Sequence, residues 1–175
     1  MAVNVSGNLT NANLFSKSFA NLFNLLSNKN NVVDPVFSNS TRTMVYARFP
    51  DINNIHSEGY PFFVILPADI SNSEFNLAQD TSKHEFSFMI EIYCTDRIRG
   101  KEGKGNYSIG IQYVDELTDS IIKTLLNATN RIILNNYGLG TPRIETQSID
   151  TIEINDDLVW IRRIFLDFKK RLRTG

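Results

Sequence analysis

HEFSFMIEIYCTD, from His84 to Asp96, is the stretch on which the reading of this chain turns. Phe86, Phe88, Ile90, Ile92 and Cys94 alternate with Glu85, Ser87, Met89, Glu91, Tyr93 and Thr95. That period of two predicts a long β-strand, with the first set turned to a core and the second wet or against a partner. The strand gives way to RIRGKEGKG, Arg97 to Gly105, a charged loop punctuated by glycine. Beyond it, Val114, Leu117, Ile121, Leu125, Ala128 and Ile132 recur at three- and four-residue steps, which predicts one helix from about Tyr107 to Leu134.

Working outward, Leu14, Phe15, Phe19, Leu22, Phe23 and Leu26 form an apolar stripe that predicts an amphipathic first helix at about 13–28. Its polar face is mainly Ser and Asn with the single Lys17, which favours packing within a core or between subunits over a membrane surface. TMVYARF (Thr43 to Phe49) and FFVIL (Phe62 to Leu66), fenced by Pro50, Pro61 and Pro67, read as short strands. Pro67 to Ser82 reads as a long connection. Arg143 to Ile154 and Leu158 to Leu172 read as a two-stranded hairpin around Asn155-Asp156-Asp157, although the last segment also carries helical spacing. The sum is a single α+β domain over 1–175: a mixed or antiparallel sheet packed against two main helices, in the order roughly α-β-β-β-α-β-β, with extended loops.

Composition narrows the functional classes. With 42% hydrophobic and 21% charged residues, the 175-residue chain can bury a core. A formal net charge of −1 argues against a protein whose main work is coating nucleic acid. No apolar run approaches the roughly 18 residues that cross a bilayer, and the first residues lack a secretory pattern, so a soluble protein made in the cytoplasm is expected. Cys94 is the only cysteine, and its place in the inward set predicts an inert buried thiol. Five Asn-x-Ser/Thr triplets, at Asn4, Asn8, Asn39, Asn106 and Asn127, are what an Asn-rich chain yields by chance.

Catalytic signatures are weak. His56 and His84 are the only histidines and neither has a second ligand at zinc spacing. Gly100 to Gly105 fails the Walker A pattern because Asn106 and Tyr107 follow Gly105. The loop still precedes a helix, so Arg97, Arg99, Lys101 and Lys104 are candidates for contact with phosphate or with another subunit. Asp150 to Asp157 lacks the turn glycine and terminal glutamate of a calcium loop. Asp167-Phe168-Lys169 resembles the Asp-x-Lys of metal-dependent nucleases, and a hairpin closing around Asp156 would set Glu145 opposite Asp167 and Arg143 opposite Lys169. The densest basic group is Arg162, Arg163, Lys169, Lys170, Arg171 and Arg173, a candidate contact for DNA or an acidic neighbour.

GYPFFVILPADIS, HEFSFMIEIYCTD, the helix VDELTDSIIKTLL and the ending WIRRIFLDFKKRLR, in that order from Tyr60 to Arg173, resemble the tail terminator or tail completion proteins of tailed bacteriophages. The resemblance implies a structural virion protein, with no enzyme activity and no cofactor or metal. It further implies a homo-hexameric ring that caps the tail tube, ends its polymerisation and joins it to the head connector. Expected partners are further copies of the chain, the tail tube protein, a head completion or connector protein, and sheath protein; DNA would pass through the lumen without sequence recognition, and no membrane is involved. The expected location is the virion tail or neck, after assembly in host cytoplasm. Another head-to-tail neck or baseplate protein of similar fold, and a metal-dependent nuclease, stand as the alternatives. The loop from Arg97 to Gly105 has no counterpart in the family pattern.

Overall fold

The strand built on HEFSFMIEIYCTD is the centre of the sheet. In the computed structural model, which describes residues 14–36, 42–50, 59–76, 81–97, 108–136, 139–154 and 157–173, it runs from Thr81 to Thr95 as β3. Before it come helix α1 (Leu14–Ser27), strand β1 (Val45–Tyr46) and strand β2 (Phe62–Asn76). After it come helices α2 (Ile109–Leu126) and α3 (Ala128–Asn136) and strands β4 (Arg143–Thr146), β5 (Asp150–Ile154) and β6 (Asp157–Arg173). The strands form one sheet in the order β1-β2-β3-β6-β4, with β5 also on β6. Only β1 runs parallel to its neighbour, so the sheet is mixed and the fold is α+β, as the sequence predicts.

One face of the sheet is roofed by helices. Phe86, Phe88, Ile90, Ile92 and Cys94 are each at most 2% exposed, and on β6 Ile164, Leu166 and Phe168 are wholly buried beside them. Helix α2 adds Val114, Leu117, Ile121 and Leu125, and α1 adds Leu22 and Leu26, all within the same core. Phe19 of α1 meets Phe88 with ring centroids 6.0 Å apart, and Phe88 meets Phe168 edge-on at 5.8 Å. Each such side chain contributes about 1.5–3 kcal/mol by leaving water.

Four expectations need correction. The stretch from Pro67 to Ser82 is not a long connection, because β2 continues to Asn76 and β3 begins at Thr81, with residues 77–80 outside the described ones. Its polar letters misled because β-bulges at Pro67/Asp69 and Ser73/Phe75 break the alternation that would have announced a strand. The helix predicted from Tyr107 to Leu134 is two helices. Asn127 ends α2 with its N–H on the Lys123 carbonyl at 3.0 Å, and its Oδ1 accepts from the N–H groups of Thr129 and Asn130 to start α3. The turn it makes leaves Ala128 and Ile132 on the surface, Ile132 at 63%.

The predicted C-terminal hairpin is likewise three strands. Between Thr146↔Ile164 and Asp150↔Ile161 three residues of one side face two of the other, so β4 slips by one position. The hairpin also closes one position off Asp156, with Ile154 opposite Asp157, and the two shifts together set Arg143 opposite Asp167 and Glu145 opposite Phe165, in place of the expected Glu145–Asp167 and Arg143–Lys169 pairs. The other face of β3 also departs from expectation. Glu85, Ser87 and Met89 are half-buried, whereas Glu91, Tyr93 and Thr95 are 6%, 2% and 1% exposed.

Asparagines elsewhere do similar work at chain ends. Asn31 Nδ2 donates to the Leu25 carbonyl, Thr124 Oγ1 donates to the Asn31 carbonyl, and Asn130 Nδ2 donates to the Thr124 carbonyl. These bonds tie the end of α1 to the joint of α2 and α3, and they give the Asn-rich composition a structural use.

Candidate interaction surfaces

The loop after β3 begins with groups already engaged inside the chain. Asp96 Oδ1 accepts the backbone N–H of Gly110 at 2.8 Å and the hydroxyl of Ser108, the residue that caps α2. Two of the N–H groups that made this helix start attractive for a phosphate are therefore taken by internal acceptors, Gly110 by the Asp96 carboxylate and Ile111 by Ser108 Oγ. Gly110 permits the arrangement, since a Cβ there would lie 2.3 Å from Trp160 Cδ1 and 2.8 Å from Asp96 Oδ1. Arg97 pairs with Asp157 at 2.5 Å while its side chain stays 70% exposed. Arg99, Lys101 and Lys104, the other candidates of this loop, lie outside the described residues.

The described side chains of the candidate basic cluster, Arg162, Arg163 and Lys169, do not come together as one patch, and those of Lys170, Arg171 and Arg173 lie outside the described ones. Alternation sends Arg162 and Arg163 to opposite faces of the sheet. Arg162 reaches Asp115 of α2 at 2.8 Å, and Arg163 Nε meets Glu91 Oε1 at 2.7 Å, with Asp150 a further 3.9 Å partner. Lys169 pairs with Glu85 at 3.3 Å. Lys170, Arg171 and Arg173 continue β6, opposite His84, Lys83 and Thr81.

The Glu91–Arg163 pair belongs to an enclosed network. Tyr93 donates its hydroxyl to Glu91 Oε2 at 2.7 Å, and burial with that bond pushes the Tyr93 phenol well above the usual tyrosine range. The Tyr93 ring stacks on Phe62 at 5.0 Å and takes Phe49 edge-on at 5.2 Å; Tyr60 and Tyr46 pack on Phe62 in turn. This aromatic cluster closes one end of the face away from the helices. Burial, then the nearby Asp157 charge, raises the Tyr60 phenol to about 12. Burial likewise raises the Cys94 thiol, the inert state expected of it.

Beyond Glu91 the same face opens. Leu66, Met89 and Phe165 stand in one row across β2, β3 and β6, each half-buried, with Glu145 next in line on β4. The following row carries Ser87, Asp167 and Arg143, where Ser87 donates to Asp167 Oδ1 at 2.7 Å. Glu145 meets Arg143 at 2.5 Å, and the register no longer sets it opposite Asp167 to share an ion. Among the described residues no group of three His, Cys, Asp or Glu side chains is placed to hold a metal ion, and no helix is long and apolar enough to cross a membrane. This apolar row was not foreseen from the sequence, although Met89, an apolar residue in the outward set of its strand, was a signal of it.

Comparison with known protein families finds no family model that matches the chain, and comparison with curated proteins finds no match either.

Proposed function

We propose that this chain is a structural subunit that works by packing against copies of itself and against neighbouring proteins, as a ring at the joint between a phage tail tube and its head connector. The observation that carries the reading is the half-open sheet face, where Leu66, Met89 and Phe165 form an apolar row beside a core that is already complete. Half-buried apolar side chains ringed by ion pairs have the make-up of an interface centre with a polar rim. The order of segments from Tyr60 to Arg173, which resembles tail terminator proteins, supplies the particular assembly. In a ring the contact is heterologous, so this row would meet a different patch on the next copy.

The test combines mass measurement with a polymerisation assay. Size-exclusion chromatography with light scattering is expected to give a closed oligomer, alone or once purified tube protein is added. Under electron microscopy, tubes grown with the chain present are expected to stop at one terminal ring. Met89→Asp, which places a charge in the apolar row, is expected to abolish assembly while the isolated subunit keeps its circular dichroism. Tubes that lengthen without limit in the presence of the wild-type chain, or assembly unaffected by Met89→Asp, would overturn the reading.

A further inference from the structure

Residues 120–144 contain no Asp or Glu, and residues 144–161 contain no Lys or Arg. The first stretch holds the joint of α2 and α3, where Leu126, Ile132 and Ile133 are all exposed. Lys123, three residues before Leu126 and so on the same side of α2, is exposed too. Arg131 is likewise exposed, and its Nε donates to the neutral Thr141 hydroxyl at 3.1 Å. Lone exposed apolar residues are ordinary, whereas three large ones at one joint, flanked by two cations, have the make-up of a contact.

The second stretch holds β4 and β5. Register places Glu145, Asp150 and Ile152 on the face of the sheet that carries Met89 and Phe165, away from the helices. All three are exposed at the margin of that face. Arg143 offsets Glu145, and Glu91 already holds Arg163 at 2.7 Å. Asp150, 3.9 Å from the same guanidinium and with its side chain 66% exposed, therefore leaves this margin with negative charge in excess.

We infer that the α2–α3 joint of one copy docks on the open sheet face of the next. Leu126, Ile132 and Ile133 would meet the apolar row and Ile152, while Lys123 and Arg131 would face Glu145 and Asp150. The inference rests on the reading of this chain as a self-assembling subunit and names the second patch that a heterologous contact needs. Within one chain the two patches cannot meet, because α2 and α3 belong to the helical layer and the sheet lies between. A second copy is the occupant because each patch supplies what the other lacks: apolar surface on both, with margins of opposite charge. A symmetric pairing of two sheet faces would offer the acids no excess of cations and would leave the α2–α3 joint in water.

Sedimentation velocity of the full-length chain over a concentration series, with and without purified tube protein, tests it. Lys123→Glu/Arg131→Glu and, separately, Glu145→Lys/Asp150→Lys are each expected to weaken self-association at least about tenfold, since like charges then oppose each other across the contact. An equal mixture of the two double variants, and a chain carrying all four substitutions, are expected to regain wild-type association, which a structural injury would not. Ile132→Asp, at an exposed position, is expected to show a similar loss and serves if a double variant fails to fold.

Wild-type association by either double variant or by Ile132→Asp, or no recovery on mixing, would overturn the inference. Loss in one double variant alone would mark a symmetric contact in its place. A wild-type chain that stays monomeric in every sample would overturn it together with the ring. Association abolished by Met89→Asp but indifferent to the charge reversals sinks this pairing and leaves the subunit reading standing. Recovery by charge exchange in oligomers that do not stop tube growth sinks the tail reading and leaves this pairing standing.

Discussion

At Gly110 the backbone of α2 packs directly against Trp160 of β6. A methyl group at that position would overlap the Trp160 indole and crowd the Asp96 carboxylate, so one of them must move. In an ordinary helix interior, Gly to Ala stabilises by about 1 kcal/mol. Here Gly110→Ala is expected instead to cost about 1–3 kcal/mol, in the manner of an overpacked core. Chemical denaturation checks this, with the emission of Trp160, the only tryptophan, reporting the local shift; a stabilised variant would refute the close packing. Nothing in the letters around Gly110 announced the contact, because it depends on Trp160, fifty residues later in the chain. The inward set Phe86, Phe88, Ile90 and Ile92 was legible by contrast, since its burial follows from a local period that one tertiary partner suffices to satisfy.

At the scale of the element, what decides each boundary is a polar side chain that bonds the backbone. Asp96 sits at the end of β3 and satisfies the first turn of α2, so Asp96→Ala is expected to cost about 1–2 kcal/mol and to speed amide exchange at Gly110 and Ile111. Unchanged protection of those amides would count against the cap. Asn127 performs both ends of the same task between α2 and α3, and apolar periodicity alone ran straight through it. The C-terminal strands were legible as strands, while their pairing was not. The turn, which closes between Ile154 and Asp157, and one extra residue between Thr146 and Asp150 each moved the register by one position and together took Glu145 from Asp167 to Phe165, and hydrophobic pattern does not count such residues. The edge of β2 is another matter. Among the described residues only Val45 and Tyr46 pair along it, and Pro67 and two register shifts interrupt it, features that discourage sheet-to-sheet pairing, so neighbours are more readily met through the face than along this edge.

For the whole molecule, three buried acids tie stability to alkaline pH. The folded chain holds the Cys94, Tyr60 and Tyr93 protons more tightly than the unfolded chain, whose ordinary values are 9.0 and 10.0. The unfolded state therefore binds fewer protons above those values, and stability must decline as pH rises. It should be complete below about pH 9 and fall by up to ~1.4 kcal/mol per pH unit for each group, through about 12 and beyond. Thermal melts at about pH 8 and pH 11 check the sign; equal midpoints would contradict it. The interaction row was only partly readable beforehand, because Leu66, Met89 and Phe165 come from three different strands. The β3–β6 pairing, fifteen consecutive partners without a slip, also bears on how the gene can vary. Deleting one codon in either strand would exchange core and surface along everything beyond it, so length changes should be purged there and accumulate outside these two strands.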